Sequence, residues 1–139
     1  MPLVEGFGFS TEVRVRFAET DAQGIAHHAG FVVWLEVARI EYLDRFDGGY
    51  SALQRSGLEA LTLEVFVRYL APARFDDRLR IQARCTDVRG ARFRFEYLVD
   101  RTGEPIAEAW TAHATVEARS LRPTRTPGWL VDAIAAAES

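Results

Sequence analysis

Lysine and asparagine are both absent from this chain, and cysteine occurs once, at Cys85. Without lysine there is no ε-amine for Schiff-base chemistry, so every one of the 17 basic residues is an arginine. Without asparagine there is no acceptor for N-glycosylation. A single cysteine excludes an intrachain disulfide. Long apolar runs are missing too: none reaches the roughly 20 residues that a membrane-spanning helix needs. The amino-terminal residues MPLVEGFGFS lack the basic and apolar blocks of a secretory leader. The formal net charge of -3 argues against non-specific nucleic-acid binding.

What remains is an ordinary globular composition, with 48% hydrophobic and 27% charged residues. The 139 residues suit one domain, 1–139, large enough to bury a core without disulfides or metals. A cytoplasmic enzyme or binding domain is the expectation.

Periodicity predicts the elements. Residues 9–17 alternate, with Phe9, Thr11, Val13, Val15 and Phe17 on one face, as in a half-buried strand. From Gly30 to Phe46 the apolar residues leave little polar surface, which predicts a long helix buried on most sides. Gly48-Gly49 stops it, and a short helix is expected over Tyr50–Arg55. Strands are expected over Leu61–Leu70, Arg78–Val88, 92–99 and 105–118. In the first of these, Leu61, Leu63, Val65, Val67 and Tyr69 share a face. A Pro-containing loop then leads to a terminal helix from about Pro127. Short turns imply an antiparallel meander. A curved sheet with one apolar face, wrapped around one apolar helix, buries both. The fold class is therefore α+β: a hot-dog fold with a five-stranded antiparallel sheet around a long central helix.

Two segments carry a resemblance to a known family. Asp21-Ala22-Gln23-Gly24-Ile25-Ala26-His27-His28-Ala29-Gly30-Phe31, followed by Trp34-Leu35-Glu36-Val37-Ala38-Arg39, resembles the 4-hydroxybenzoyl-CoA thioesterase family pattern. There a D-x-x-G loop leads through two His or Tyr positions into the central helix and a W-x-E-x-A-R run. Arg68-Tyr69-Leu70-Ala71-Pro72-Ala73-Arg74-Phe75-Asp76-Asp77 is similar to the family's R-Y-x-x-P-A-R-Y-D-D segment. The likeness in element order covers nearly the whole chain.

The resemblance implies hydrolysis of an acyl-CoA thioester, of aryl or short-to-medium chain. Asp21 would act as nucleophile or as general base on water. The backbone N–H of His28, at the helix start, would polarise the thioester carbonyl, helped by the helix dipole. Gly24 would let the loop approach the substrate. His27, Phe31, Trp34 and Phe66 are candidate substrate contacts, and Arg74, Arg89 and Arg92 are candidate partners for the phosphates of CoA. No metal and no separate cofactor are expected, because CoA is part of the substrate and His27-His28 lacks further ligands nearby in sequence. Family members form homodimers or homotetramers whose sheets join edge to edge. Neither nucleic acid nor membrane is an expected partner.

Plainer readings stand beside these. Asp21 to Gly24 is also an ordinary turn sequence. Glu36 is an alternative acid, otherwise a salt-bridge partner for Arg39 or a sheet arginine. His113 reads as structural and Cys85 as a buried, inert thiol. Two other functions fit the fold: an acyl-thioester dehydratase pairing His28 with Glu36, and a non-catalytic acyl-CoA-binding module.

Overall fold

A computed structural model describes residues 6–139. The first five residues of the segment read for a targeting signal lie outside the described residues. Strand β1 is Ser10–Arg14. A 3-10 turn at Phe17–Glu19 and an irregular loop lead to helix α1, His28–Asp44, and helix α2, Gly49–Arg55. Four strands follow: β2 (Leu58–Tyr69), β3 (Arg78–Arg89), β4 (Arg92–Arg101) and β5 (Glu104–Glu117). Helix α3, Gly128–Glu138, ends the chain, with Pro127 at its N-cap. This is the expected hot-dog architecture.

The strands form one antiparallel sheet in the order β1-β3-β4-β5-β2. Only β3, β4 and β5 form a meander. The segment between Tyr69 and Arg78 runs from the β2 edge across to β3, next to the opposite edge strand β1, so β2 lies beside β5 rather than β3. That crossing brings residues 70–77 past the start of α1, where the site is built.

Alternation in β3 and the first half of β4 matches the sheet as observed, whereas Leu98, expected with Arg92, Arg94 and Glu96 on the polar face, is buried. Leu79, Ile81, Ala83 and Cys85 are buried against Phe93, Phe95, Tyr97 and Val99. They meet Phe31, Leu35, Ala38 and Tyr42 of α1 in one core. Each large apolar side chain so buried contributes about 1.5–3 kcal/mol. Tyr42 anchors the middle of this core, edge-on to Phe9, Phe46 and Phe95. Its hydroxyl donates to Glu138 of α3, whose carboxylate also accepts the Cys85 N–H at 3.2 Å.

Further expectations change. Phe17 leaves the strand: β1 ends at Arg14, and Phe17 is 77% exposed against the edge of Phe75. The cause is local, because Glu19 accepts the Arg16 N–H at 2.8 Å and turns the chain there. Helix α1 begins two residues earlier than expected, at His28. It is not buried on most sides either, since Val32, Val33 and Val37 stand open to solvent. Finally, β2 carries a bulge between Thr62 and Glu64. The extra residue, Leu63, reverses the facing of everything after it. Thr62 therefore pairs with His113 and Leu61 with Ala114 on the opposite face of the sheet, while Val65, beyond the bulge, pairs with Thr111 on the same face as His113. The single apolar face expected from Leu61 to Tyr69 is split in two.

Candidate active site

The loop from Thr20 to His27 is built around its own aspartate. Asp21 donates its N–H to the Ile25 carbonyl at 2.9 Å, and its carbonyl accepts the Gly24 N–H at 3.0 Å. Its side-chain Oδ1 accepts the N–H groups of Gln23 (2.8 Å) and Ile25 (3.2 Å). This is the turn chemistry that aspartate favours. Among the described residues Oδ2 has no hydrogen bond. Gly24 sits at φ +75°, with open space where a Cβ would be. Its glycine is thus required by backbone conformation, not by crowding.

The N–H donors of Gln23 first, then Ile25, hold the Asp21 carboxyl below its ordinary 3.8; the nearby His27 adds a smaller effect in the same direction. The carboxylate is therefore ionised at neutral pH and only partly shielded from solvent.

Three anchors fix this loop to the scaffold. The Ala26 N–H donates to the Ala73 carbonyl at 2.8 Å, and Ile25 bridges to Arg74. The His27 N–H donates to the Glu19 carbonyl at 2.8 Å. The Glu19 carboxylate accepts Trp34 Nε1 at 3.0 Å and Arg16 Nη2 at 3.2 Å. Burial works against the charge of Glu19, but the donors on Arg16 and Trp34 outweigh it and keep the pKa below the ordinary 4.5. Glu19 ties the loop to α1, yet nothing in the motif reading drew attention to it. The available signal was a carboxylate three residues after Arg16, close to an indole N–H that needs an acceptor once buried.

Helix α1 starts where this loop ends. The Gly30 N–H turns back to the His27 carbonyl at 3.1 Å. The N–H groups of His28 and Ala29 have no partner among the described residues, as expected in a first helical turn. The helix dipole adds positive potential there. Beside them opens a cleft of about 320 Å³, lined by Ile25, Ala26, His28, Phe31, Tyr69 and Pro72, among others. Asp21 adjoins its rim through Ile25 rather than lining it.

The candidate residues divide accordingly. Asp21, Gly24, His27, His28, Phe31 and Arg74 come together at this end of the sheet. The Arg74 guanidinium makes no ion pair among the described residues. Trp34 is buried and spends its N–H on Glu19, so it supports the loop from behind. Phe66 lies away from the cleft, stacked on Trp110 with ring centroids 5.9 Å apart. Arg89 and Arg92 stand at the β3–β4 turn, where Arg89 pairs with Asp87 at 2.7 Å. By strand length that turn is roughly 35 Å from the Asp21 end of the same chain.

Outside the cleft, Glu36 pairs with Arg39 at 3.8 Å and is largely exposed. His113 is buried, bonded to Thr111 Oγ1 at 2.7 Å and stacked on Phe93. Burial raises the Cys85 thiol pKa far above its ordinary value, so the thiol stays protonated. Among the described residues no cluster of three or more His, Cys, Asp and Glu side chains could hold a metal. No described helix is long and apolar enough to cross a membrane.

Residues 15–134 match the thioesterase-like superfamily. This chain belongs to that superfamily. It is similar to the acyl-CoA thioester hydrolase YbgC of Escherichia coli, with 32% identity over 124 residues, covering 88% of this chain and 92% of the other. The acyl-CoA thioesterase YbgC of Haemophilus influenzae is 30% identical over 121 residues, covering 86% and 89%. Among solved structures, the hypothetical protein TT1821 from Thermus thermophilus superposes with a TM-score of 0.86 at 30% identity, covering 92% and 98%. A thioesterase from Thermus thermophilus complexed with coenzyme A and zinc superposes with a TM-score of 0.82 at 28% identity, covering 96% of each. The superfamily match spans both halves of the site, the Asp21 loop and the Tyr69–Asp77 segment that packs against it.

Proposed function

We propose that this superfamily member hydrolyses acyl-CoA thioesters to a free acid and CoA, with Asp21 as the reacting carboxylate. The protein is a thioester hydrolase. The observation that carries the Asp21 assignment is a carboxylate whose Oδ1 is held by the turn and whose Oδ2 is unbonded among the described residues, on a loop that leads directly into the first N–H groups of α1. Asp21 takes a proton from a water whose oxygen bonds to the thioester carbon, or bonds to that carbon itself, giving an anhydride that water cleaves after CoA has left to release the acid and restore the carboxylate. In either case the carbonyl electrons move onto oxygen, which the His28 and Ala29 N–H groups receive. The C–S bond then breaks, and CoA leaves as a thiolate that collects a proton.

The cleft beside His28 and Phe31 takes the acyl end, and Arg74 is placed for an outer phosphate. Arg89 and Arg92 are too distant within one chain, so any phosphate role for them requires a second copy. That copy would form the expected homodimer by pairing along the open edge of β2, which presents Val65 and Tyr69.

Free-thiol release from a panel of aryl-, short-, medium- and long-chain acyl-CoAs tests the proposal. Release is expected from at least one. An enoyl product without free thiol would favour a dehydratase, and saturable binding without turnover would favour a binding module.

A further inference from the structure

Tyr69 is the last residue of β2, and three contacts tie it to the first turn of α1. Its ring stacks on the His28 imidazole, centroids 4.4 Å apart and 23° from parallel. It meets the edge of Phe31 at 5.1 Å. Its hydroxyl donates to the His28 carbonyl at 3.3 Å. Burial raises the phenol pKa, so the hydroxyl keeps its proton and remains a donor at any ordinary pH.

The acceptor is what matters. The His28 carbonyl and the Ala29 N–H belong to one planar peptide group, so a donor held on the carbonyl fixes the direction of that N–H. Withdrawing electron density at the oxygen also makes the same N–H a stronger donor. Among the described residues, the Ala29 N–H, like that of His28, has no hydrogen-bond partner. A residue used only as cleft wall would need its ring, not its hydroxyl.

We propose that Tyr69 is a positioning residue: its hydroxyl orients and polarises the His28–Ala29 peptide, making the Ala29 N–H the second donor to the thioester oxygen. This rests on the thioesterase reading for its consequence but not for its geometry. The tyrosine acts through the peptide and does not itself touch the reacting atoms.

The test compares Tyr69→Phe with Tyr69→Ala in two readouts. The first is the amide resonance of Ala29 in 15N-labelled protein without substrate. Tyr69→Phe is expected to shift it upfield while leaving the thermal midpoint unchanged; an unmoved resonance overturns the clamp. The second is acyl-CoA turnover. Tyr69→Phe is expected to lower kcat roughly 3-fold to 10-fold with KM nearly unchanged. Tyr69→Ala, which also removes cleft wall, is expected to raise KM as well. Wild-type kcat in Tyr69→Phe overturns the positioning role, and so does a rise in KM with kcat intact. If wild type releases no thiol, the hydrolase reading fails, and the Ala29 resonance still decides the clamp.

Discussion

Replacing Glu19 by glutamine should unsettle the site from behind without touching the reacting carboxylate. The Glu19 side chain is only 12% exposed and accepts three donors: the Arg16 N–H at 2.8 Å, Trp34 Nε1 at 3.0 Å and Arg16 Nη2 at 3.2 Å. A carboxylate satisfies all three because both oxygens accept. Glutamine offers one accepting oxygen and an NH2 that must face a donor, whichever way it turns. One donor loses its partner, at a cost of about 1–3 kcal/mol when it is the buried Trp34 indole and less when it is the exposed Arg16. For a chain of this length that lowers the thermal midpoint by roughly 3–10 °C. Removing the indole N–H relieves the conflict, so Glu19→Gln combined with Trp34→Phe should cost less than the two changes summed.

The pH dependence follows from the sign of the shift. The folded pKa of Glu19 lies below the ordinary 4.5, so its contribution is fully present above that value and fades as pH falls through the folded pKa. Glu19→Gln removes that acid-side loss. Thermal melts of wild type, both single variants and the double variant at pH 7 and pH 4 provide the measurement. A Glu19→Gln midpoint within about 1 °C of wild type at pH 7 would refute the anchoring argument.

Two further outcomes are expected. Burial, and then the charge of Arg39, press the His113 pKa from 6.5 to about 3, so the unfolded chain takes up its proton first as pH falls below 6.5. Stability should drop by about 2 kcal/mol between pH 7 and pH 5 from this residue, and His113→Gln should flatten that slope in urea titrations; parallel slopes would mean His113 does not stay neutral. Gly24→Ala places a Cβ at φ +75° without any clash, so it should cost only the backbone strain, about 1–2 kcal/mol, read as a shift in urea midpoint. A larger loss would mean that the added methyl group meets something the single chain does not contain.

Local chemistry is what the sequence made legible. The Asp21–Gly24 turn depends on residues that hydrogen-bond within four positions of each other, so the motif and its geometry coincide. Alternation survives folding over Leu79–Cys85 and Phe93–Tyr97, where the ladder is regular, and breaks where the register shifts, after Thr86 in β3 and after Val99 in β4. The bulge at Leu63 escaped notice because the inserted residue is as apolar as its neighbours, and parity alone does not reveal an extra one. The position of β2 beside β5 escaped notice too, since the crossing segment at residues 70–77 is no longer than an ordinary loop. Tyr69 belongs to the second segment of the family resemblance, but its bond to His28 spans 41 positions and no local pattern predicts it. Aromatic character alone makes Trp34 and Phe66 candidates beside Phe31, but of the three only Phe31 lines the cleft. The turn reading and the catalytic reading of Asp21 prove compatible, because the turn uses Oδ1 and leaves Oδ2 open.

That division makes Asp21→Asn the most direct measurement. Asparagine keeps an Oδ1 to accept the Gln23 and Ile25 N–H groups, so the loop retains its shape while the charge is lost. With the best acyl-CoA of the panel, thiol release should fall at least about 100-fold while the thermal midpoint stays near wild type. Release at the wild-type rate from a folded Asp21→Asn protein would contradict the assignment of Asp21 as the reacting carboxylate.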